Sequence, residues 1–115
     1  MIVLKSPAEL DKMRAAGRIV AETLALLKTR IIPGVTTNEL NRLAEKECQR
    51  HGAKPAFKGY GGFPFAICSS PNEQVVHGFA DDKPLLEGDI LSIDFGVLYK
   101  GFFGCLLYTS DAADD

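Results

Sequence analysis

Two side chains suited to hydrolytic chemistry stand seventeen residues apart, His77 in "NEQVVHG" and Asp94 in "GDILSIDFGVLYKGFFG". Asp94 interrupts a run that otherwise reads as a buried strand. A lone carboxylate in that setting can hold a cation, but it is more often a structural residue. His77 follows Val75–Val76 and precedes Gly78. Standing alone, such a His more often serves structure or faces solvent, although an imidazole is also a versatile catalytic group. Upstream, Gly59, Gly61 and Gly62 alternate with Tyr60, Phe63 and Phe65. The rings either anchor a loop or line an apolar pocket that glycines open to close approach.

Cys105 lies eleven residues after Asp94. With a two-residue turn at Tyr99–Lys100, an antiparallel hairpin sets Gly96 opposite Phe103 and Asp94 opposite Cys105. Directly opposed side chains on one face are about 5 Å apart. Two carboxylates so placed would repel unless a cation lay between them, and they would chelate it rigidly. Here the second position carries a thiol. Cys48 and His51, three apart near a helix end, lack a further ligand nearby and read as structural.

The elements that position these groups follow from pattern. Ser6, Pro7 and Glu9 form a helix start with a capping box. Leu10, Met13, Gly17, Val20, Leu24 and Leu27 then recur at helical spacing and predict one packed stripe. "IIPGVTT" breaks that helix, and Thr36 with Glu39 starts a second, with Leu40, Leu43, Ala44, Glu47 and Cys48 inward and an end at Gly52. From Lys54 the periodicity shifts. The segment "AICSS" reads as a strand, "PNEQVVHG" as a turn with a short extended run, "ADDKPLLEGD" as a polar loop, and "ILSIDFGVL" and "FFG" as the arms of a hairpin. Helices followed by antiparallel strands predict an α+β fold.

Size and charge exclude several classes. The chain has 115 residues, 24% of them charged, with a net charge of −2. That is one small domain without the basic excess of a nucleic-acid or anionic-membrane surface. No apolar run approaches the ~20 residues that span a membrane, and the amino-terminal apolar stretch is too short for a signal peptide, so the expected location is cytoplasmic. Three cysteines without CxxC spacing predict no disulfide framework.

"GYGGFPFAICSSPNEQVVHG" and "GDILSIDFGV" together resemble the type I methionine aminopeptidases, across about Ile2 to Gly104. The resemblance implies the first half of a pita-bread fold, built in the whole enzyme from two related α/β halves with metals between them. It implies that Asp94 is a metal ligand, that His77 is the catalytic histidine that bonds the substrate and steadies the tetrahedral intermediate, and that Phe57, Tyr60, Phe63 and Cys68 line the methionine pocket. Cys105 stands where the family has its second aspartate. A His and two Glu, the other ligands, belong to a second half outside this sequence. The implied activity is removal of the initiator Met from nascent proteins near the ribosome. The implied enzyme is cytoplasmic and monomeric, uses two divalent ions (Co, Mn, Fe, Zn or Ni), and reads neither nucleic acid nor membrane. The present chain is expected to be inactive and to hold no ion stably. Two other readings are a proline-specific aminopeptidase of the same fold and a non-catalytic peptide-binding module.

Residues 105–115, "CLLYTSDAADD", depart from the family pattern and carry three Asp but no Lys or Arg. They resemble the translation of a transposon-end adapter used in sequencing libraries. The expected organisation is therefore a partial catalytic domain over residues 1–104 and a foreign tail over 105–115.

Overall fold

The computed structural model describes residues 6–59, 65–71 and 81–111. Helix α1 (Pro7–Lys28) and helix α2 (Thr37–Arg50) precede strands β1 (Lys54–Pro55), β2 (Ile67–Pro71), β3 (Ile90–Tyr99) and β4 (Phe102–Asp111). Both helices begin as their sequences dictate. The Ser6 hydroxyl accepts from the Glu9 N–H while Glu9 accepts from the Ser6 N–H, and Thr36 and Glu39 repeat the exchange. Each box satisfies two amide donors that a bare helix start leaves unpaired. Helix α2 ends on His51, and Gly52 follows in the left-handed region, φ +68°.

Strand β3 is the centre of an antiparallel sheet. Strand β4 pairs with its whole length, Ile90 with Asp111 through Tyr99 with Phe102. A strand has two edges, so β1 and β2 share the other: β1 pairs with Val97–Leu98 and β2 with Leu91–Phe95. Leu91, Ile93, Phe95 and Val97 are fully buried and join the helices in one core with Val20, Leu24, Leu27, Leu40, Ala44 and Cys48. The alternation along β3 thus sends odd-numbered residues to the helices and even-numbered ones to the opposite face.

The structure corrects the hairpin register. The turn residues are Lys100 and Gly101, not Tyr99 and Lys100, and both have positive φ, 49° and 86°. A two-residue hairpin whose twist matches its strands needs that conformation at both central positions. Glycine supplies one without strain, whereas the earlier placement would have forced it on Tyr99. Asp94 therefore pairs with Leu107, and Cys105 with Gly96. The slip is two residues, so Asp94 and Cys105 keep a common face.

The stripe on α1 is also displaced. Ala16, Ile19, Val20, Thr23, Leu24 and Leu27 are buried, while Leu10 and Met13 remain 38% and 37% exposed. Helix α1 packs on β3 and β4, and its approach at Gly104 falls at Ala16 and Gly17, beyond the turns that carry Leu10 and Met13. Strand β4 continues into the residues set aside on sequence grounds, because a backbone ladder does not require a particular side-chain pattern at an edge.

Gly104 marks where α1 meets the sheet most closely. A Cβ at that position would lie 2.8 Å from the Ala16 carbonyl carbon and oxygen and 2.9 Å from the Gly17 nitrogen. These are backbone atoms and cannot rotate away. Gly104→Ala should destabilise the chain by about 2 kcal/mol, the scale of core overpacking. Urea titration followed by circular dichroism measures this, and an unchanged midpoint contradicts the packing described.

Candidate functional site

The sheet face turned away from the helices carries Asp94 at the middle of β3, half-buried. Its neighbours follow from register. Cys68 on β2 is directly opposite Asp94. Cys105 on β4 is the diagonal neighbour, its Sγ 3.9 Å from Asp94 Oδ1. Phe57, half-buried, follows Ala56, whose N–H donates to the Gly96 carbonyl at 2.9 Å, so the chain carrying Phe57 crosses β3 two residues from Asp94. The fold thus gathers Phe57, Cys68, Asp94 and Cys105 to one part of the sheet. His77, Tyr60 and Phe63 lie outside the described residues.

The thiol of Cys105 is pushed upward in pKa, first by burial, then by the Asp94 charge and by the hydrogen bond that keeps its proton toward Asp94. Cys48, fully buried in the core between helix and sheet, is pushed to about 11, chiefly by desolvation. His51 does not join Cys48 as a ligand pair. It sits 3.7 Å from both Glu22 on α1 and Glu47 on α2.

Sequence reasoning missed the side chains that brace the site. Asn41, 6% exposed on the inner side of α2, accepts from the Ala66 N–H at 2.7 Å and the Ile67 N–H at 3.3 Å. It fixes the entry to β2 just before Cys68. The signal was available, a polar residue one position after Leu40 on an otherwise apolar side, but an amphipathic pattern does not say which backbone such a residue meets. The first turn of α2 holds a second anchor. Thr37 Oγ1 accepts from the Asp81 N–H at 2.8 Å, the Asn38 N–H donates to the Asp81 carbonyl at 3.0 Å, and Asn38 Nδ2 donates to Asp82 Oδ1 at 2.9 Å. Pro71, paired with Leu91, and Asp81, bonded to the first turn of α2, are thus each fixed to a regular element.

With this geometry in view, the comparisons with known proteins are specific. Residues 11–112 match the model of Metallopeptidase family M24. The chain belongs to Metallopeptidase family M24, a class of metal-dependent peptidases. Within it, the chain is 54% identical over 102 residues to a methionine aminopeptidase of Clostridium perfringens, covering 89% of this chain and 41% of that protein. The crystal structure of methionine aminopeptidase from Rickettsia prowazekii superposes with a TM-score of 0.93 at 42% identity, over 99% of this chain and 46% of that one. An aminopeptidase P of Escherichia coli gives a TM-score of 0.78 at 26% identity, over 95% and 24%. The architecture is that of one half of a pita-bread fold, and the chain spans less than half the length of these two methionine aminopeptidases.

The family implies a divalent metal. The residues described here do not make a two-ion centre: among them no three His, Cys, Asp or Glu side chains converge on one point. On the open face Asp94 stands beside a thiol, which favours softer ions than a pair of carboxylates does.

Asp94 should slow alkylation of Cys105, because at mildly alkaline pH its charge holds the thiol protonated and the thiolate is the reactive form. Iodoacetamide labelling near pH 8, read by mass spectrometry at the Cys105 peptide, should be slow, and Asp94→Asn should speed it several-fold. Equal rates in the two proteins would separate the groups. Asn41→Leu should cost about 2–4 kcal/mol by stranding two buried amide donors, whereas Asn41→Asp should retain most of the stability. Equal losses for both in thermal melts would remove Asn41 from this role.

Proposed function

We propose that this chain is the amino-terminal half of a methionine aminopeptidase, and that the whole enzyme releases the first Met of nascent proteins by metal-assisted hydrolysis. The observation that carries the reading is Asp94, placed at the centre of the sheet on the face the helices leave open, within a chain 54% identical to such an enzyme. The difference in identity, 42% against 26%, favours this reading over a proline-specific peptidase of the same fold. A non-catalytic binding module would not need a carboxylate at that point of β3.

On this reading Asp94 is a metal ligand, and the bound ions, drawn from Co, Mn, Fe, Zn or Ni, would polarise the scissile carbonyl. The chain's other residues bind and orient. Phe57, Tyr60, Phe63 and Cys68 form the apolar wall against which the methionine thioether packs. Neutral His77 donates a hydrogen bond to the carbonyl oxygen as it gains charge. The remaining ligands and the general base come from outside this sequence. The partner is the amino-terminal Met of a peptide emerging from the ribosome, in the cytoplasm, met by a monomeric enzyme without use of nucleic acid or membrane. Among the described residues, no helix is long and apolar enough to cross a membrane.

Residues 105–115 are, in the same proposal, foreign to the enzyme. Sequencing the source DNA should reveal an Asp codon after that of Gly104, and an intact genome that reads Cys105 through Asp115 would overturn this. The 115-residue chain should release no Met from a Met-Ala-Ser peptide with added Co²⁺ or Mn²⁺, and Cys105→Asp alone should not change that. Chelator-sensitive turnover by the unmodified chain would refute the half-site reading. In a protein rebuilt to full length, His77→Ala should lower kcat by roughly 10²–10³.

A further inference from the structure

A groove of about 690 Å³ runs between the α1–α2 connection and α2, and none of its lining residues belongs to the Asp94 face. Its volume is within the range of ligand-binding clefts. Ile32, Val35 and Leu43 supply an aliphatic floor, and Ile32 is 50% exposed. Arg30, Arg42 and Lys46 rim it. Arg42 and Lys46 are four apart on α2, one turn along the same side.

The charges on α2 divide by side. Glu45 pairs with Lys58, and Glu47 pairs with Arg50 and lies near His51. Arg30, Arg42 and Lys46 have no carboxylate within ion-pair distance among the described residues. The one acid lining the groove, Glu39, is already engaged by the Thr36 N–H at 3.2 Å. The groove is therefore a local cationic excess on a chain whose net charge is −2. Cations with no internal partner beside exposed aliphatic surface match a ligand that brings both carboxylates and apolar side chains. A nucleic acid fits less well, because no aromatic side chain lines the groove to stack a base.

We propose that this groove binds an acidic, amphipathic peptide segment of a partner protein. Carboxylates of the segment meet Arg30, Arg42 and Lys46, and its aliphatic side chains cover Ile32, Val35 and Leu43. The surface is independent of the hydrolytic face.

The test is fluorescence anisotropy with the full chain and a short labelled peptide of Glu, Leu and Ala in amphipathic order. It should bind, while the same peptide with Lys in place of Glu should not. The double substitution Arg42→Glu with Lys46→Glu should weaken binding at least roughly tenfold, as like-charge contacts do. Raising sodium chloride tenfold cuts the screening length to about a third and should weaken it markedly. Ile32→Asp should also weaken it; this exposed residue makes little of the core, so it reports on the groove even where the double variant folds poorly. Equal binding of the Lys peptide, equal binding of a Glu-Ser peptide without aliphatic residues, or tighter binding of an RNA oligomer would each overturn the proposal. Sedimentation showing that a second copy, bringing its own acidic carboxyl-terminal residues, fills the groove would overturn it too.

Discussion

Strand β3 has two faces and two edges, and every other element takes its place from how they are used. One face is apolar at each odd position and must be buried. Helix α1 packs on it while α2 meets the sheet at β1 and β2, and Phe95 and Val97 are fully enclosed. One edge is taken by β4 and the other by β1 and β2 in succession. Only the even-numbered face is left, and it carries Asp94. The strand is stable as a central strand because its edges are paired and one face is dry; the carboxylate costs little because it stands on the remaining face.

Several residues outside the regular elements are likewise fixed to them. Ala56, just after β1, is tied to Gly96, Ala66 at the entry to β2 is clamped by Asn41, and Asp81 is bonded to the first turn of α2. Each tie joins a backbone amide to a group on a rigid element, so the anchoring does not depend on packing within the loop itself. Functional loops on rigid scaffolds commonly gain their precision in this way.

Much of this was readable in the sequence. Both capping boxes, the end of α2, the α+β order and the strand around Asp94 follow from local rules that act within a few residues. What was misread was non-local. The α1 stripe began too early because periodicity shows which side of a helix is apolar, not how much of its length has something to cover it. The hairpin register failed on one choice: both turn residues needed positive φ, and the pair containing glycine was the right one. Asn41 was passed over because its partners, Ala66 and Ile67, lie far along the chain. The metal role proposed for Asp94 rests on resemblance, since the geometry of one carboxylate and one thiol does not define a centre.

The Lys100–Gly101 turn also limits how such a hairpin can change over generations. Positions on β3 and β4 that share a face are separated by an odd number of residues, as Asp94 and Cys105 are. With the turn kept at two residues, an insertion of one residue beside it would carry everything beyond it through the sheet, placing apolar side chains in water and the site's partner among the helices. Insertions of two residues, or a bulge that absorbs one, leave both faces as they were. Lineages of this hairpin should therefore differ in length by even steps, and an odd step should appear only together with a bulge.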